Sequence, residues 1–223
     1  MSISNRLTTI ASIIPLNVRL VAVSKTKPIE YILEAYSTGH RAFGENKVQE
    51  MVEKHAALPK DIEWHLIGHL QKNKVKYIAS FVSLIHGVDS FSTLKEINKQ
   101  AIKHKRIIPC LLQIKIAQET NKFGFSFEDA SELIDSKRLK ELTNVDIVGL
   151  MGMATFTENQ QQLQKEFSSL KSFFDTTKFD VLSMGMSGDY SLAIQEGSTM
   201  VRVGTAIFGS RNTPIKETFL NKT

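Results

Sequence analysis

Residues 19–28 read RLVAVSKTKP, and this stretch decides the fold. A short apolar run ends in polar residues and a proline, and the amphipathic segment 29–38 follows it. That order is typical of a buried parallel strand followed by the helix that covers it. Side chains alternate along a strand, so Val21, Val23 and Lys25 share one face. The stretch therefore predicts a strand that ends in a lysine amine.

The same strand-then-helix order recurs along the chain. Runs rich in valine, isoleucine and leucine predict strands at 20–24, 41–44, 63–67, 82–87, 108–116, 146–151, 181–184 and 200–203, and helical stretches are predicted at 29–38, 47–57, 92–104, 128–135 and 159–174. Eight strands alternating with helices predict an α/β fold, a (β/α)8 TIM barrel. An open doubly wound sheet is the alternative, although no Gly-x-Gly-x-x-Gly motif follows the first strand.

Length and composition indicate one soluble globular domain over residues 1–223. The chain has 223 residues, of which 42% are hydrophobic and 23% charged. No apolar run is long enough to cross a bilayer. Residues 1–16 carry Ile3, Leu7, Ile10 and Ile14 on one helical stripe, which predicts a docking helix rather than a signal peptide, and residues 212–223 are expected to form a tail. The single cysteine, Cys110, lies in an apolar run, so we expect a reducing compartment, the cytoplasm.

The net charge of +5 is compatible with RNA binding or with attraction of an anionic metabolite. The basic clusters at 72–76 and 103–106 both interrupt helix-like patterns. Solvated helix faces explain such clusters more often than a nucleic-acid footprint does. Nucleic acid and membrane are therefore not expected partners.

A TIM barrel collects its functional residues just after the strands, at the C-terminal face. Lys25 follows the first predicted strand, Asn46 the second, and Ser187 the seventh, while His65 lies near the end of the third. Taken alone, Lys25 is more typical of a surface lysine that begins a loop. Asn46 and the adjacent Glu45 suit either the orientation of a cofactor or lysine, or capping of the helix that starts near Lys47.

Two loops near the end of the chain suit an anion. Ser187 and Gly188 precede a helical stretch predicted at 190–195, where free backbone N–H groups and a hydroxyl favour negative charge. Gly204 and Thr205 offer a second set of donors after the last strand, and phosphate sites in this architecture commonly form after strands 7 and 8. The alternative is that Ser187 only caps that helix. Asp189 must turn its carboxylate away if a phosphate binds here.

Arg202 lies within an otherwise apolar strand, so its guanidinium needs acceptors. A carboxylate such as Glu45 is one candidate acceptor, and the nitrogen of a pyridine ring is the other. His65 is either a satisfied core histidine or a stacking partner for a flat ring. Lys122 is either a solvated loop lysine or a second amine at the same face. The sequence offers no set of metal ligands at the spacing that zinc sites use.

An amine, a phosphate cradle and an arginine are the parts of a pyridoxal 5′-phosphate (PLP) site. The chain also resembles the pyridoxal phosphate homeostasis protein family in an ordered set of motifs over roughly residues 17 to 211. The motifs are AVSK at 22–25, GEN at 44–46, WHLIG at 64–68, QKNK at 71–74, GLM at 149–151, SMGMS at 183–187 and VRVGTAIFG at 201–209. Each motif is short, but their order along the chain is specific.

The resemblance implies a single-domain barrel of the alanine-racemase-like PLP type. It implies that Lys25 carries PLP as a reversible Schiff base and that Arg202 faces the pyridine nitrogen. It assigns the phosphate to Ser187, Gly204 and Thr205, the cofactor pocket to Asn46 and His65, and a secondary PLP contact to Lys122. Members of the family carry PLP or regulate its supply to apo-enzymes, and they affect amino-acid and keto-acid balance without an established catalytic turnover.

A PLP-dependent amino-acid racemase is the second hypothesis. Racemisation needs a base on each face of the α-carbon. The racemases that the chain resembles take their second base, a tyrosine, from an additional β domain, and this chain extends only 14 residues beyond Gly209. We therefore expect a PLP carrier or regulator ahead of a racemase, and an RNA-binding or scaffolding protein last.

Overall fold

The computed structural model describes residues 1–119 and 123–210, and these form a closed barrel of eight parallel strands in sequence order. The strands are β1 Arg19–Val23, β2 Ala42–Glu45, β3 Glu63–Leu66, β4 Leu84–Val88, β5 Ile108–Ile114, β6 Val145–Gly152, β7 Val181–Met186 and β8 Met200–Val203. Strand β1 closes the ring, since Ala22 pairs with Phe43 on one side and with Val203 on the other. The predicted (β/α)8 barrel is confirmed.

Helices surround the barrel. They are α1 Ile3–Ile13, α2 Ile29–Tyr36, α3 Val48–Ala57, α4 Phe91–Lys103, α5 Phe127–Asp135, α6 Lys137–Lys140, α7 Gln160–Phe174, α8 Tyr190–Gln195 and α9 Thr205–Phe208, with a 3₁₀ helix at Lys72–Tyr77. The predicted boundaries differ from these by at most three residues, and those of β8 agree at both ends. Strand β5, for example, ends at Ile114 rather than at residue 116, because Lys115 already begins the loop.

The apolar side chains form two separate layers. Most lie between the sheet and the helices, in a large core that includes Ala22 and Trp64. A smaller cluster fills the inside of the barrel and comprises Val21, Leu84, Leu111, Met151 and Met200. Side chains alternate along each strand. A residue next to a member of the outer core therefore points into the barrel, and a residue next to a member of the interior cluster points outward. By this rule His65 and Arg202 point into the barrel.

Helix α1 occupies the part of the helical ring next to the last strand. Its buried face carries Ile3, Leu7 and Ile10, and it packs against α2 and α9. Arg6 Nε donates to the carbonyl of Ile207 at 2.5 Å, which ties α1 to α9. The helix ends at Ile13, short of the predicted residue 16. Helix α1 therefore packs beside the four-residue α9, the described helix that follows β8.

The two basic clusters lie at the surface, away from the barrel interior. Lys72 and Lys76 are exposed on the 3₁₀ helix, and Lys103 is exposed at the end of α4. Arg106 instead donates to the carbonyls of Ala79 and Val82, so its role is structural. Across residues 1–119 and 123–210, no helix is long and apolar enough to cross a bilayer.

Candidate functional site

Lys25 lies two residues beyond the end of β1, at the C-terminal face of the barrel. The side chain before it, Ser24, points outward and donates its hydroxyl to Glu45 Oε1 at 2.5 Å. Alternation then directs Lys25 toward the inside of the barrel, in phase with Val21 of the interior cluster. Its side chain is half-buried. This phase agrees with the inward direction that the sequence predicts for the Lys25 amine.

Ser187 and Gly204 meet at the same face. The Gly204 N–H donates to Ser187 Oγ at 3.0 Å, which joins the loops that follow β7 and β8. Gly204 also packs against β1, since a Cβ added to it would lie 3.2 Å from the Val23 carbonyl oxygen. The ends of three strands therefore converge on one small region, with Lys25 two residues beyond Val23.

The helix that follows these loops has the predicted bounds, 190–195. Helix α8 starts at Tyr190, with Asp189 at its N-cap, so the interpretation of Ser187 as a helix cap is wrong. Asp189 Oδ1 accepts the Met186 N–H at 2.5 Å, and its carboxylate therefore turns back toward its own loop. Thr205, the first residue of α9, has an exposed side chain. The Ser187 hydroxyl is thus used between the two loops rather than within one.

Arg202 is buried inside the barrel below this region. Its Nη1 donates to Ser183 Oγ at 2.6 Å and its Nη2 donates to the carbonyl of Gly152 at 3.0 Å. Burial lowers the pKa of Arg202 to about 10, against an opposing effect of the Asp189 carboxylate. The guanidinium is therefore still charged at neutral pH, and its hydrogen bonds go to neutral acceptors. A dry cation of this kind favours an anionic or electron-rich ligand.

The suggested pairing of Arg202 with Glu45 is wrong. Glu45 lies on the outer side of the sheet, where its Oε1 accepts bonds from Ser24 Oγ and from Lys54 Nζ. The two residues are on opposite faces of the barrel wall, so no rotamer brings them together. The acceptors that Arg202 uses instead are the Ser183 hydroxyl and the Gly152 carbonyl.

His65 belongs to a chain of buried polar side chains that crosses the barrel. His65 Nδ1 lies 3.0 Å from His86 Nε2, and His86 Nδ1 lies 3.1 Å from Ser183 Oγ. Burial, reinforced by the charges of Arg19 and His40, lowers the pKa of His65 to about 3. Burial is the main cause that lowers the pKa of His86 well below its ordinary value. Electrostatic interactions with His65 and Arg202 lower it further. Both imidazoles are therefore neutral at physiological pH.

The hydrogen-bond pattern assigns the protons along this chain. Arg202 only donates, so Ser183 Oγ accepts its bond. A buried hydroxyl donates when an acceptor is in reach, which directs the Ser183 proton to His86 Nδ1. His86 then carries its own proton on Nε2 and donates to His65 Nδ1. The hydrogen bonds thus all point the same way, each donor nearer to Arg202 and each acceptor nearer to His65, and they fix the rotamer of each side chain.

The sequence reasoning missed His86 and Ser183. The available signal is the alternation within their strands. His86 is in phase with Leu84 of the interior cluster, and the neighbours of Ser183, Leu182 and Met184, both belong to the outer core. Polar residues in phase with the interior of a closed barrel need partners there. That test would have found both residues once the inward face of each strand was known.

The remaining predicted positions have different outcomes. Asn46 directly follows β2 and is partly exposed; the N-cap of α3 is Lys47, so Asn46 does not cap that helix. Its backbone lies against Gly68, where an added Cβ would come within 2.3 Å of the Asn46 carbonyl oxygen. Lys122 lies outside the described residues. In the part of the chain that the structure describes, no group of three His, Cys, Asp or Glu side chains gathers as a metal site requires.

Comparison with known proteins gives the relationship of this chain. The sequence profile of the alanine racemase N-terminal domain matches residues 1–212. A pyridoxal phosphate homeostasis protein of Aquifex aeolicus (strain VF5) is 40% identical over 200 residues, which are 86% of this chain and 87% of that protein. This chain belongs to the pyridoxal phosphate homeostasis protein family.

Two solved structures set the family fold in context. PipY of Synechococcus elongatus PCC7942, solved with PLP bound, is 36% identical in sequence to this chain. The two superpose with a TM-score of 0.84, over 93% of this chain and all of PipY. An alanine racemase of Clostridium difficile 630 has a TM-score of 0.77 at 15% identity, over 96% of this chain and 58% of the racemase. The second likeness concerns the fold alone.

Proposed function

We propose that this protein binds PLP at the C-terminal face of its barrel and acts in intracellular PLP homeostasis. The observation that carries the proposal is the contact between the Gly204 N–H and Ser187 Oγ, next to the end of β1 and above the buried charge of Arg202. The solved structure of PipY with PLP bound supports it, because PipY shares the fold and 36% of the sequence.

The residues at this face fit the parts of PLP. Ser187, Gly204 and Thr205 supply a hydroxyl and backbone donors that suit the phosphate. Arg202 suits the ring nitrogen, and Asn46 and His65 belong to the surrounding pocket. When PLP is bound, its aldehyde condenses with the Lys25 amine, so that a C=N bond replaces C=O and one water leaves. Hydrolysis reverses this step and makes storage reversible.

Arg202 favours a carrier over a catalyst. Because a guanidinium only donates, a pyridine nitrogen that faces it must accept and stay unprotonated. An unprotonated pyridine withdraws electrons poorly and supports carbanion chemistry weakly. The protein therefore holds the cofactor in a form suited to storage and to transfer to apo-enzymes. We place this activity in the cytoplasm, where the buried thiol of Cys110 stays reduced.

The first experiment tests covalent binding at Lys25. The purified protein with PLP should show a visible absorbance band, and reduction with borohydride should fix one pyridoxyl group on the peptide that contains Lys25. Lys25→Ala should lose the band. Lys27→Ala is the matched control, because Lys27 Nζ binds the carbonyls of Gly209 and Ser210 and is not assigned to PLP. An unchanged band in Lys25→Ala would reject the assignment.

The second experiment tests delivery and separates it from racemisation. The loaded protein is mixed with an apo PLP-dependent enzyme, and the recovery of enzyme activity is followed. Delivery predicts recovery faster than the release of PLP into buffer permits. Racemase activity is measured on the same sample as exchange of the α-proton of amino acids with deuterium. We expect no exchange above that of free PLP, and exchange by the protein would favour a racemase.

A further inference from the structure

An ion network lies on the outer side of the barrel wall, in contact with the residues on either side of Lys25. It comprises Glu45 at the end of β2 and Glu50 and Lys54 on α3, and we call it the Lys54 network. Lys54 Nζ lies 2.8 Å from Glu45 Oε1 and 2.7 Å from Glu50 Oε1. The Glu45 side chain is fully buried and that of Lys54 is 7% exposed. Glu45 and Lys54 are thus shielded from solvent, whereas the Glu50 side chain is 21% exposed at the edge of the network.

The network holds the backbone on both sides of Lys25. On the N-terminal side, Ser24 donates its hydroxyl to Glu45 Oε1 at 2.5 Å, and its carbonyl accepts from Lys54 Nζ at 2.8 Å. On the C-terminal side, the Thr26 N–H donates to Glu50 Oε1 at 2.5 Å. Charge-assisted bonds such as these are about twice as strong as neutral ones. Two of them therefore fix the peptide units on either side of Lys25, and the third fixes the Ser24 side chain.

The backbone at this point is in a conformation that it would not adopt unaided. Thr26 has a φ of 62°, in the left-handed region. A β-branched residue is seldom found there, and such a conformation persists only when its surroundings impose it. The bond from the Thr26 N–H to Glu50 supplies that constraint. Strain of this kind is characteristic of functional sites, and here it occurs on the residue next to the proposed PLP lysine.

Stability alone does not account for the network. A buried ion pair stabilises a protein little compared with apolar side chains of the same volume, because desolvation offsets the attraction. Glu45 Oε2 also has no hydrogen-bond partner, which adds to the unfavourable terms. The contacts of the network with Ser24 and Thr26 point instead to the geometry of the turn that bears Lys25.

We propose that Glu45, Glu50 and Lys54 position Lys25 for covalent attachment of PLP, acting through the backbone on either side of it. None of the three touches the inside of the barrel, so they are positioning residues rather than ligands of the cofactor. The inference rests on the proposed function. It adds that the barrel wall and α3 determine how readily the amine reaches the aldehyde, separately from how well the pocket holds the phosphate and the ring.

The test compares two ligands that differ only at the reacting carbon. PLP carries an aldehyde, whereas pyridoxine 5′-phosphate carries an alcohol and forms no C=N bond. The variants are Glu50→Ala and Lys54→Met, and the matched control is Glu53→Ala, an exposed glutamate of the same helix whose carboxylate accepts from Gln49. Each dissociation constant is measured by titration, and circular dichroism gives the folded fraction. If Lys54→Met does not fold, Glu50→Ala alone decides.

We expect Glu50→Ala to raise the dissociation constant of PLP about tenfold, the equivalent of one charge-assisted hydrogen bond. The dissociation constant of pyridoxine 5′-phosphate should stay within about twofold of wild type, and Glu53→Ala should change neither. Equal weakening of both ligands would show a purely structural network and overturn the inference, as would no change in either. A wild-type protein that fails to attach PLP would instead overturn the proposed function.

Discussion

Glu45 should make the stability of the protein depend on pH in a direction unusual for a carboxylate. Its side chain is fully buried on the outer face of the sheet. Burial raises the pKa of Glu45 from its ordinary 4.5 to about 7, against the opposing charge of Lys54. The folded protein therefore binds this proton more tightly than the unfolded chain does. The contribution is fully present below pH 4.5 and is lost as the pH rises through about 7.

The pKa change converts to a free energy of about 3 kcal/mol for the whole interval. Between pH 5 and pH 8, most of this difference should appear in the free energy of unfolding. Glu45→Gln removes the titration but keeps the shape and an oxygen that accepts from Ser24 and Lys54. We expect wild type to lose about 2 to 3 kcal/mol more stability than Glu45→Gln between these two pH values.

Urea denaturation followed by circular dichroism measures this difference. Both proteins are unfolded at pH 5 and at pH 8, and the slope with denaturant must agree between them, since a changed slope indicates a changed unfolded state. All other titrating groups are common to the two proteins, so their contributions cancel in the comparison. Parallel pH profiles for wild type and Glu45→Gln would refute the reasoning that Glu45 is desolvated and carries its charge at an energetic cost.

Three further predictions concern the barrel interior and the Lys25 turn. His65 and His86 should take up no proton between pH 8 and pH 5, because burial lowers the pKa of both. Imidazole nitrogen chemical shifts that titrate in this range would contradict the prediction that both side chains are neutral. These low values mean that stability falls as the pH drops below about 6.5, where the unfolded imidazoles protonate. Ser183→Ala leaves Arg202 Nη1 and His86 Nδ1 without their partner, so urea denaturation should show a loss of about 1–3 kcal/mol, and a neutral effect would argue against the chain. Thr26→Gly should stabilise the protein by ~1 kcal/mol, because glycine adopts a positive φ without strain, and a lower melting temperature would contradict this account of the turn.

Local patterns were sufficient to predict the barrel. Each strand of a parallel sheet is a short apolar run, and each covering helix repeats its apolar residues every three to four positions. The alternation of strands and helices can therefore be predicted without any long-range information. Lys25, Ser187 and Gly204 were predicted because the C-terminal face of a barrel collects whatever follows its strands. Some element boundaries were less accurate, as at β4, which was predicted to start at residue 82 and starts at Leu84, whereas α8 has its predicted bounds.

Contacts across the barrel wall could not be predicted in the same way. The sequence left open whether Glu45 faces Arg202 or a lysine, since that depends on which side of β2 points inward. Lys54 lies 9 positions from Glu45 and reaches Ser24 across 30 positions, a distance that no local pattern encodes. His86 and Ser183 are 97 positions apart and meet only because the sheet closes. Such pairs become visible once the inner and outer faces of every strand are known.

The bond between Arg6 and Ile207 joins residues 201 positions apart. During synthesis, helix α1 therefore leaves the ribosome before every other described element, yet its docking surface on α9 does not exist until the last strand has been translated. Helix α2 can pack against α1 early, but the side of α1 that faces α9 stays uncovered until then, a state that invites premature association. The packing of this early helix is thus completed late, and we expect nascent chains to depend on chaperones until the ring has closed.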